Sequence, residues 1–450
     1  MKKFRSLLVL LVMVSSTLSA QEIPEQYLAE ALGSNLVLKE KNINYEKSLI
    51  ALKQARSLFL PETWIEGQYS VAKGGRSLDL PIGDLLNPVY QTLNQLTGSN
   101  HFPTINNTSE QFLPNNFYDL RLRTTLPIIN PALKINRNIQ QDQVSLQQTE
   151  IDIYKRELIR EVKVGYYKYL MAKHSIGIYE NALMVVNQNL KVNQSLLSNG
   201  KGLPAYVSRA ASEVTKVESD LLAARNEEQN AKAYFNFLLN KPLTDPIIAI
   251  EISLTENVKA IAANLNDNIN GREELKSIGI AKNINKDVQK LNRSFRTPKV
   301  NAFLDLASQG FDFQVNRNSF FYLGGIQMQV PLFAGKRNIY KIEQSELDGK
   351  NLELKNDYLR QQLELSASVS RNNAATIYAN YNSAIKQEEA ARKYFTLIDR
   401  GYREGVNTYI EFLDARNQLT SAQLQLNINK YKVLAALADY ERQTASYSFK

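Results

Sequence analysis

Two proline-initiated stretches of nearly equal length constrain this chain more than any other feature. Leu126-Pro127-Ile128-Ile129-Asn130-Pro131 opens a run that continues without a further proline to Gly200, with Ala210 beyond it. Val330-Pro331-Leu332-Phe333-Ala334-Gly335 opens another that continues to Gly405 and Ala415. Pro127 and Pro331 lie about 204 positions apart, and the Gly/Ala pairs about 205, so the spacing is kept to about one residue. Such register-keeping suits a duplicated unit whose two copies stand side by side at equal height. Leu60-Pro61-Glu62-Thr63 and Thr297-Pro298-Lys299-Val300 form a further matched pair. Each unit reads as helix, proline break, two short strands, proline break, very long helix, tip and returning helix. Pro61, Pro127, Pro298 and Pro331 mark the breaks.

The helical reading rests on periodicity. Ile151, Leu158, Val162, Tyr166 and Leu170 recur at helical spacing, interrupted only by Gly165 and Gly177, and Ile428, Tyr431, Ala435 and Ala438 do the same near the end. A helix from Pro131 to Asn199 would be roughly 100 Å long, far taller than most globular cores, so coiled-coil-like packing is expected.

The strands alternate. Ile65, Tyr69 and Val71 oppose Glu66, Gln68 and Ser70, with Trp64 on the polar side, while Tyr118, Leu120, Leu122 and Leu126 oppose Asp119, Arg121 and Arg123. Val300, Ala302, Leu304 and Leu306 oppose Asn301 and Asp305, with Phe303 among the polar residues. Phe320, Tyr322, Ile326, Met328 and Val330 oppose Gln327 and Gln329. Each run has about the length a tilted strand needs to cross a bilayer. Four strands cannot close a barrel, and open edges in lipid strand backbone groups at several kcal/mol each, so several protomers must share one wall. The segment from Gly74 to Asn116 joins the first two strands as a long loop; its Leu85, Leu86, Val89, Tyr90 and Leu93 suggest that part of it folds over the barrel mouth.

Composition removes other classes. Lys2, Lys3 and Arg5 precede an apolar Leu7 to Val14 and a small-residue stretch to Ala20, a signal-peptide pattern over residues 1–20 that implies export. The chain has no cysteine, which removes disulfides and thiol catalysis. Its formal charge is +9, but Lys and Arg alternate with Glu and Asp, so no nucleic-acid partner is expected. His101 and His174 have no neighbouring ligand set, and no nucleophile-base pair can be assembled, so neither a metal, nor a cofactor, nor an enzyme is expected.

The proline motifs, the strand entries Leu58-Phe59-Leu60-Pro61 and Phe295-Arg296-Thr297-Pro298, Arg272-Glu273-Glu274-Leu275, and Tyr402-Arg403-Glu404-Gly405 through Leu413-Asp414-Ala415 together resemble the TolC-like outer-membrane efflux proteins. The resemblance implies a fold that is mainly α with a small β part. Long antiparallel helices would form a periplasmic α-barrel, and four strands per chain would enter a trimeric transmembrane β-barrel in the outer membrane. It also implies a homotrimer in outer-membrane lipid, docking to a periplasmic adaptor and an inner-membrane pump driven by protons or ATP. A periplasmic adaptor or structural coiled-coil protein is the alternative, although adaptors usually carry a single hairpin. The expected organisation is a signal peptide at 1–20, a first repeat at 21–240 with strands near 62–72 and 117–127 and a helical hairpin near 131–240, a connecting segment at 241–271, and a second repeat at 272–450 with strands near 298–309 and 319–331 and a hairpin near 335–446.

Function is expected at the helix tips. Gly200, Gly202 and Pro204 shape one tip, and Arg403, Glu404 and Gly405 the other, where the adaptor would dock. Glu411 and Asp414 lie three apart on one helical face. In the family the corresponding positions carry aspartates that ring the periplasmic entrance; here the first is glutamate. Thr408-Tyr409-Ile410-Glu411 is also a capping-box sequence, in which the glutamate serves the helix start. The family's closed aperture resembles a lock in which a tyrosine and an arginine bind an acid. Tyr402 matches the tyrosine, but Asn407 replaces the arginine and Tyr206 the acid. Either other contacts, such as those of Arg403 or Glu404, hold the aperture, or it closes less tightly.

Overall fold

The computed structural model describes residues 23–252, 254 and 268–447. The expected signal peptide at 1–20 and residues 253 and 255–267 of the expected 241–271 connection lie outside the described residues. The chain divides into two compact units, one from the described residues of Met1–Ser48, Asp142–Asn283 and Asp348–Lys450, the other from Leu49–Gln141 and Ile284–Leu347. Each sequence repeat contributes to both.

The first unit is built on long helices. α1 (Glu25–Ser34) and the start of α2 (Leu36–Ser57) precede α4 (Pro131–Ser198) and α5 (Pro204–Leu238), and α6 (Glu273–Arg293), α7 (Arg337–Arg403) and α8 (Tyr409–Thr444) follow. Among the described residues no helix is long and apolar enough to cross a membrane. The stripe of Ile151, Leu158, Val162, Tyr166 and Leu170 is buried as its spacing requires, packed with Tyr27, Phe235, Leu238 and Tyr431. Tyr166 sits at the centre, its hydroxyl donating to Ile248 O at 2.9 Å and accepting from Ile250 N–H at 3.1 Å. α4 passes unbroken through Gly165, which packs against Leu238 and Tyr234.

The Arg272–Leu275 motif has a structural task at the start of α6. Arg272 Nη1 donates to Arg442 O at 3.1 Å and Gln443 O at 3.0 Å, closing the carbonyl end of α8, and Nη2 pairs with Glu274 at 2.8 Å. Arg442 joins Glu274 (2.9 Å) to Glu157 (2.8 Å), and Arg156 grips Glu273 while donating to Tyr447 O. Burial alone would raise the Glu274 pKa, but the hydrogen bond and charge of Arg272, with the charge of Arg442, bring it down to about 2.

The second unit carries the sheet. β1 (Glu62–Ser70), β4 (Phe117–Ile129), β5 (Lys299–Phe311) and β6 (Phe320–Gln329) pair antiparallel in the order β1-β4-β5-β6, leaving β1 and β6 as edges. Pairing aligns Ile65, Leu122, Leu306 and Tyr322 in one row, all exposed, and Trp64, Arg123, Asp305 and Leu323 in the next, on the other face. On that second face Arg123 grips Asp305 with two hydrogen bonds of 2.7 and 2.6 Å, and Asp305 is 1% exposed. Phe303 has a reason to stand there: its ring lies over Gly325, where a Cβ would be 3.0 Å away, and 5.7 Å from the Arg123 guanidinium. Val71 falls beyond the end of β1.

Pro127 is not a strand-to-helix break. β4 runs through it to Ile129, and Pro131 opens α4 directly. The proline is tolerated because β1 pairing ends at Glu62–Thr125, and the register with β5 shifts between Pro127 and Ile129. Pro61, Pro298 and Pro331 do stand between elements. The 74–116 loop is also structured: it holds a short hairpin of β2 (Ser77–Leu80) with β3 (Thr108–Gln111) around α3 (Ile82–Thr97).

Candidate functional site at the helix tips

Both long helices end in the same way. Gly200 and Gly405 adopt left-handed φ angles of 71° and 79°. Lys201 N–H reaches Leu196 O (2.9 Å) and Gly200 N–H reaches Leu197 O (3.0 Å). In the second copy Val406 N–H reaches Gly401 O (2.7 Å) and Gly405 N–H reaches Tyr402 O (3.1 Å). The returning helices start differently. α5 opens with Pro204 at its first turn, and Gly202 before it lies so close to α4 that a Cβ would be 2.7 Å from Leu197 N. α8 opens on Thr408 with a complete capping box.

Glu411 is therefore anchored. Its Oε2 accepts from Thr408 N–H at 2.6 Å, from Thr408 Oγ1 at 2.9 Å and from Asn407 Nδ2 at 3.5 Å. The Thr408 backbone hydrogen bond, more than any other contact, holds its pKa below the usual carboxylate range, so the cap keeps Glu411 ionised. Asp414, one turn on and exposed, accepts from Gln418 Nε2 at 2.7 Å. The capping role and an exposed negative charge thus coexist.

Tyr402 and Tyr206 come together through Tyr409, with ring centres 6.2 and 5.4 Å from it, and Tyr402 also stacks on Phe412 at 5.0 Å. The Tyr402 hydroxyl accepts from Asn193 Nδ2 at 3.2 Å. Asn407 folds back over Gly401, where a Cβ would collide with its side-chain oxygen. Arg403 and Glu404, offered above as alternative holders, bond along their own helix instead, to Asp399 (3.0 Å) and Arg400 (3.6 Å). Both are long exposed side chains past the last full turn, with an opposite charge one turn back. A cleft of about 960 Å³ runs beside this cluster, lined by Asn189, Asn193, Tyr206, Phe395, Asp399 and Tyr402 among others.

A charged clamp is present where sequence reading did not look. Glu213 on α5 and Arg416 on α8 pair at 3.0 Å with side chains 6% and 4% exposed, and Arg209 adds a second contact to Glu213 at 3.1 Å. Burial pulls the Arg416 pKa down against the opposing charge of Glu213. Burial, then the Glu213 charge, pushes Tyr409 up to about 12. The signal was available: Tyr206, Ala210 and Glu213 share one helical face, as do Tyr409, Phe412 and Arg416, so opposite charges interrupt two apolar stripes. Ala210 and Ala415, the small residues of the duplicated motif, are buried beside them. His174, away from the tip, bonds through Nδ1 to the Tyr431 hydroxyl at 2.9 Å, and burial lowers its pKa.

Residues 285–442 match the family model described as outer membrane efflux protein. No curated protein matches the chain in sequence. Among solved structures the chain is similar to the Vibrio cholerae outer membrane protein VceC, with 14% identity, 94% of this chain and 96% of that one covered, and a TM-score of 0.73. It is similar as well to the Campylobacter jejuni CmeC outer membrane channel (13% identity, 93% and 85% covered, TM-score 0.72) and to the open state of the Neisseria gonorrhoeae MtrE outer membrane channel (13%, 93% and 88%, 0.71). With a family match over residues 285–442 and a fold shared along nearly its whole length with these outer membrane channels, the chain is similar to the outer membrane efflux proteins.

Proposed function

We propose that three copies of this chain join edge to edge into an export duct of the outer membrane, reached after removal of the residue 1–20 signal segment. Outer-membrane efflux proteins are trimeric members of tripartite assemblies, with an adaptor and an inner-membrane transporter. For this chain the observation that carries the reading is the sheet. Its β1 and β6 edges are open, one face presents Ile65, Leu122, Leu306 and Tyr322, and the other holds the Arg123–Asp305 pair. Apolar residues outward and paired charges inward suit a wall between lipid and water, and edge-to-edge closure satisfies the backbone of β1 and β6.

In this reading the chain performs no catalysis. Its periplasmic tips carry Glu411 and Asp414 toward the entrance, the Tyr402–Tyr409–Phe412 cluster and the Glu213–Arg416 pair hold adjacent helices together, and the adaptor meets the tips around Gly200, Gly202, Pro204 and Gly405. The pump behind the adaptor, driven by protons or ATP, selects the cargo. Purified protein added to a planar bilayer is expected to give discrete, long-lived conductance steps that prefer cations. Protein that extracts without detergent and gives no steps contradicts the duct and favours a soluble adaptor.

A further inference from the structure

The motif between β1 and β4 contains a helix turned inside out. α3 is fastened to the returning segment 102–107 by its polar side. Asn87 donates to Ile105 O at 2.9 Å and accepts from Ile105 N–H at 2.8 Å, and Asn94 makes the same pair of bonds with Phe102 at 2.9 and 3.1 Å. Asp84 accepts from Asn107 Nδ2 at 2.9 Å. Gly83 is pressed so near this segment that a Cβ would be 2.4 Å from Ile105 O. Side-chain amides standing in for a strand ladder fix the helix firmly on its own loop.

The apolar side is left uncovered. Ile82, Val89 and Leu96 recur every seven residues and are 37%, 51% and 79% exposed. Leu86 and Leu93 fall between them at four-three spacing, which is a heptad seam two repeats long. The spacing puts Leu86 and Leu93 at the a position and Ile82, Val89 and Leu96 at d, and leucine at a with mainly β-branched residues at d disfavours a two-stranded coil and suits three or more helices. α3 has no Lys or Arg, which a helix lying on a membrane surface would ordinarily carry, and its one charge, Asp84, is engaged with Asn107. An uncharged seam can meet its own copies without repulsion. The motif also leaves from β1, one of the two edges at which the copies would meet.

We propose that α3 is a docking surface for its own copies: three α3 helices pack through Ile82, Leu86, Val89, Leu93 and Leu96 into a short seam that narrows the external mouth. This rests on the trimeric reading above. Because the sequence has no cysteine, Val89→Cys and Gln91→Cys place single thiols on the seam and on the opposite face. Full-length protein of each variant is treated with a short bismaleimide after its native mass is measured. A covalent dimer several-fold more abundant for Val89→Cys supports the seam, as does a higher single-channel conductance for Leu86→Asp/Val89→Asp in particles of three-chain mass. Equal yields from the two thiols in particles of three-chain mass overturn the seam alone. So does a Val89→Cys fluorophore quenched by spin-labelled lipid without cross-linking, which would put the helix on the membrane. A single-chain mass overturns the trimeric reading and the seam together.

Discussion

Arg416 and Glu213 face each other at 3.0 Å between α8 and α5, both side chains almost wholly buried. Around the pair Tyr206, Tyr402, Tyr409 and Phe412 form an aromatic layer, so the helices are held by burial and one desolvated pair.

Removing Glu213 strands the Arg416 charge in a dry site, whereas removing Arg416 leaves Glu213 its Arg209 contact. Glu213→Leu should cost about 3–5 kcal/mol and Arg416→Met less, whereas the double change Glu213→Leu/Arg416→Met should cost far less than the sum because neither charge of the pair remains. Thermal midpoints of the four proteins in detergent check this. Additive losses contradict it.

The Glu274 pKa of about 2 ties stability to pH. A carboxylate depressed below its ordinary value of 4.5 stabilises the fold above that value, and the contribution is lost as pH falls toward 2. Thermal midpoints should therefore drop between pH 4.5 and 2. Glu274→Gln should be less stable at neutral pH and should show a shallower drop across the same window.

Gly325 should tolerate no side chain, because a Cβ would lie 3.0 Å from the Phe303 ring, while at Gly324 the nearest atom is an ordinary 3.6 Å away. Gly325→Ala should destabilise by about 1–3 kcal/mol, as overpacking does. Heat denaturation should show the loss, little change for Gly324→Ala, and recovery in Gly325→Ala/Phe303→Leu.

Glu411 and Asp414 make opposite demands on one experiment. If Glu411 only caps the helix, neutralising it leaves ion selectivity unchanged; if both line the entrance, a shared negative potential favours cations. Glu411→Gln with Asp414→Asn should reduce cation preference in planar bilayers. Glu404→Gln, whose carboxylate lies near Arg400 on its own helix, should change it much less.

What could be read in the sequence was what local chemistry writes there. The left-handed glycines Gly200 and Gly405, Pro204 at a helix start and the Thr408–Glu411 box all sat where their residue types predict. Pro127 misled because a proline in a strand is acceptable once one neighbour strand has ended, and that ending is a pairing fact absent from local sequence. α3 was hidden for the opposite reason: its Asn87 and Asn94 face inward, so polarity gave no sign of a packed side. Glu213 and Arg416 each left a trace, a charge on an apolar stripe, but matching the two required the alignment of two helices, which no single stretch encodes.

In the proposed duct the open β1 and β6 edges close only between copies of the chain. Native mass measurement of the full-length protein in detergent tests it most directly. Three chains per particle are expected, dissociating only as the sheet unfolds; a stable, folded single chain would contradict the shared barrel.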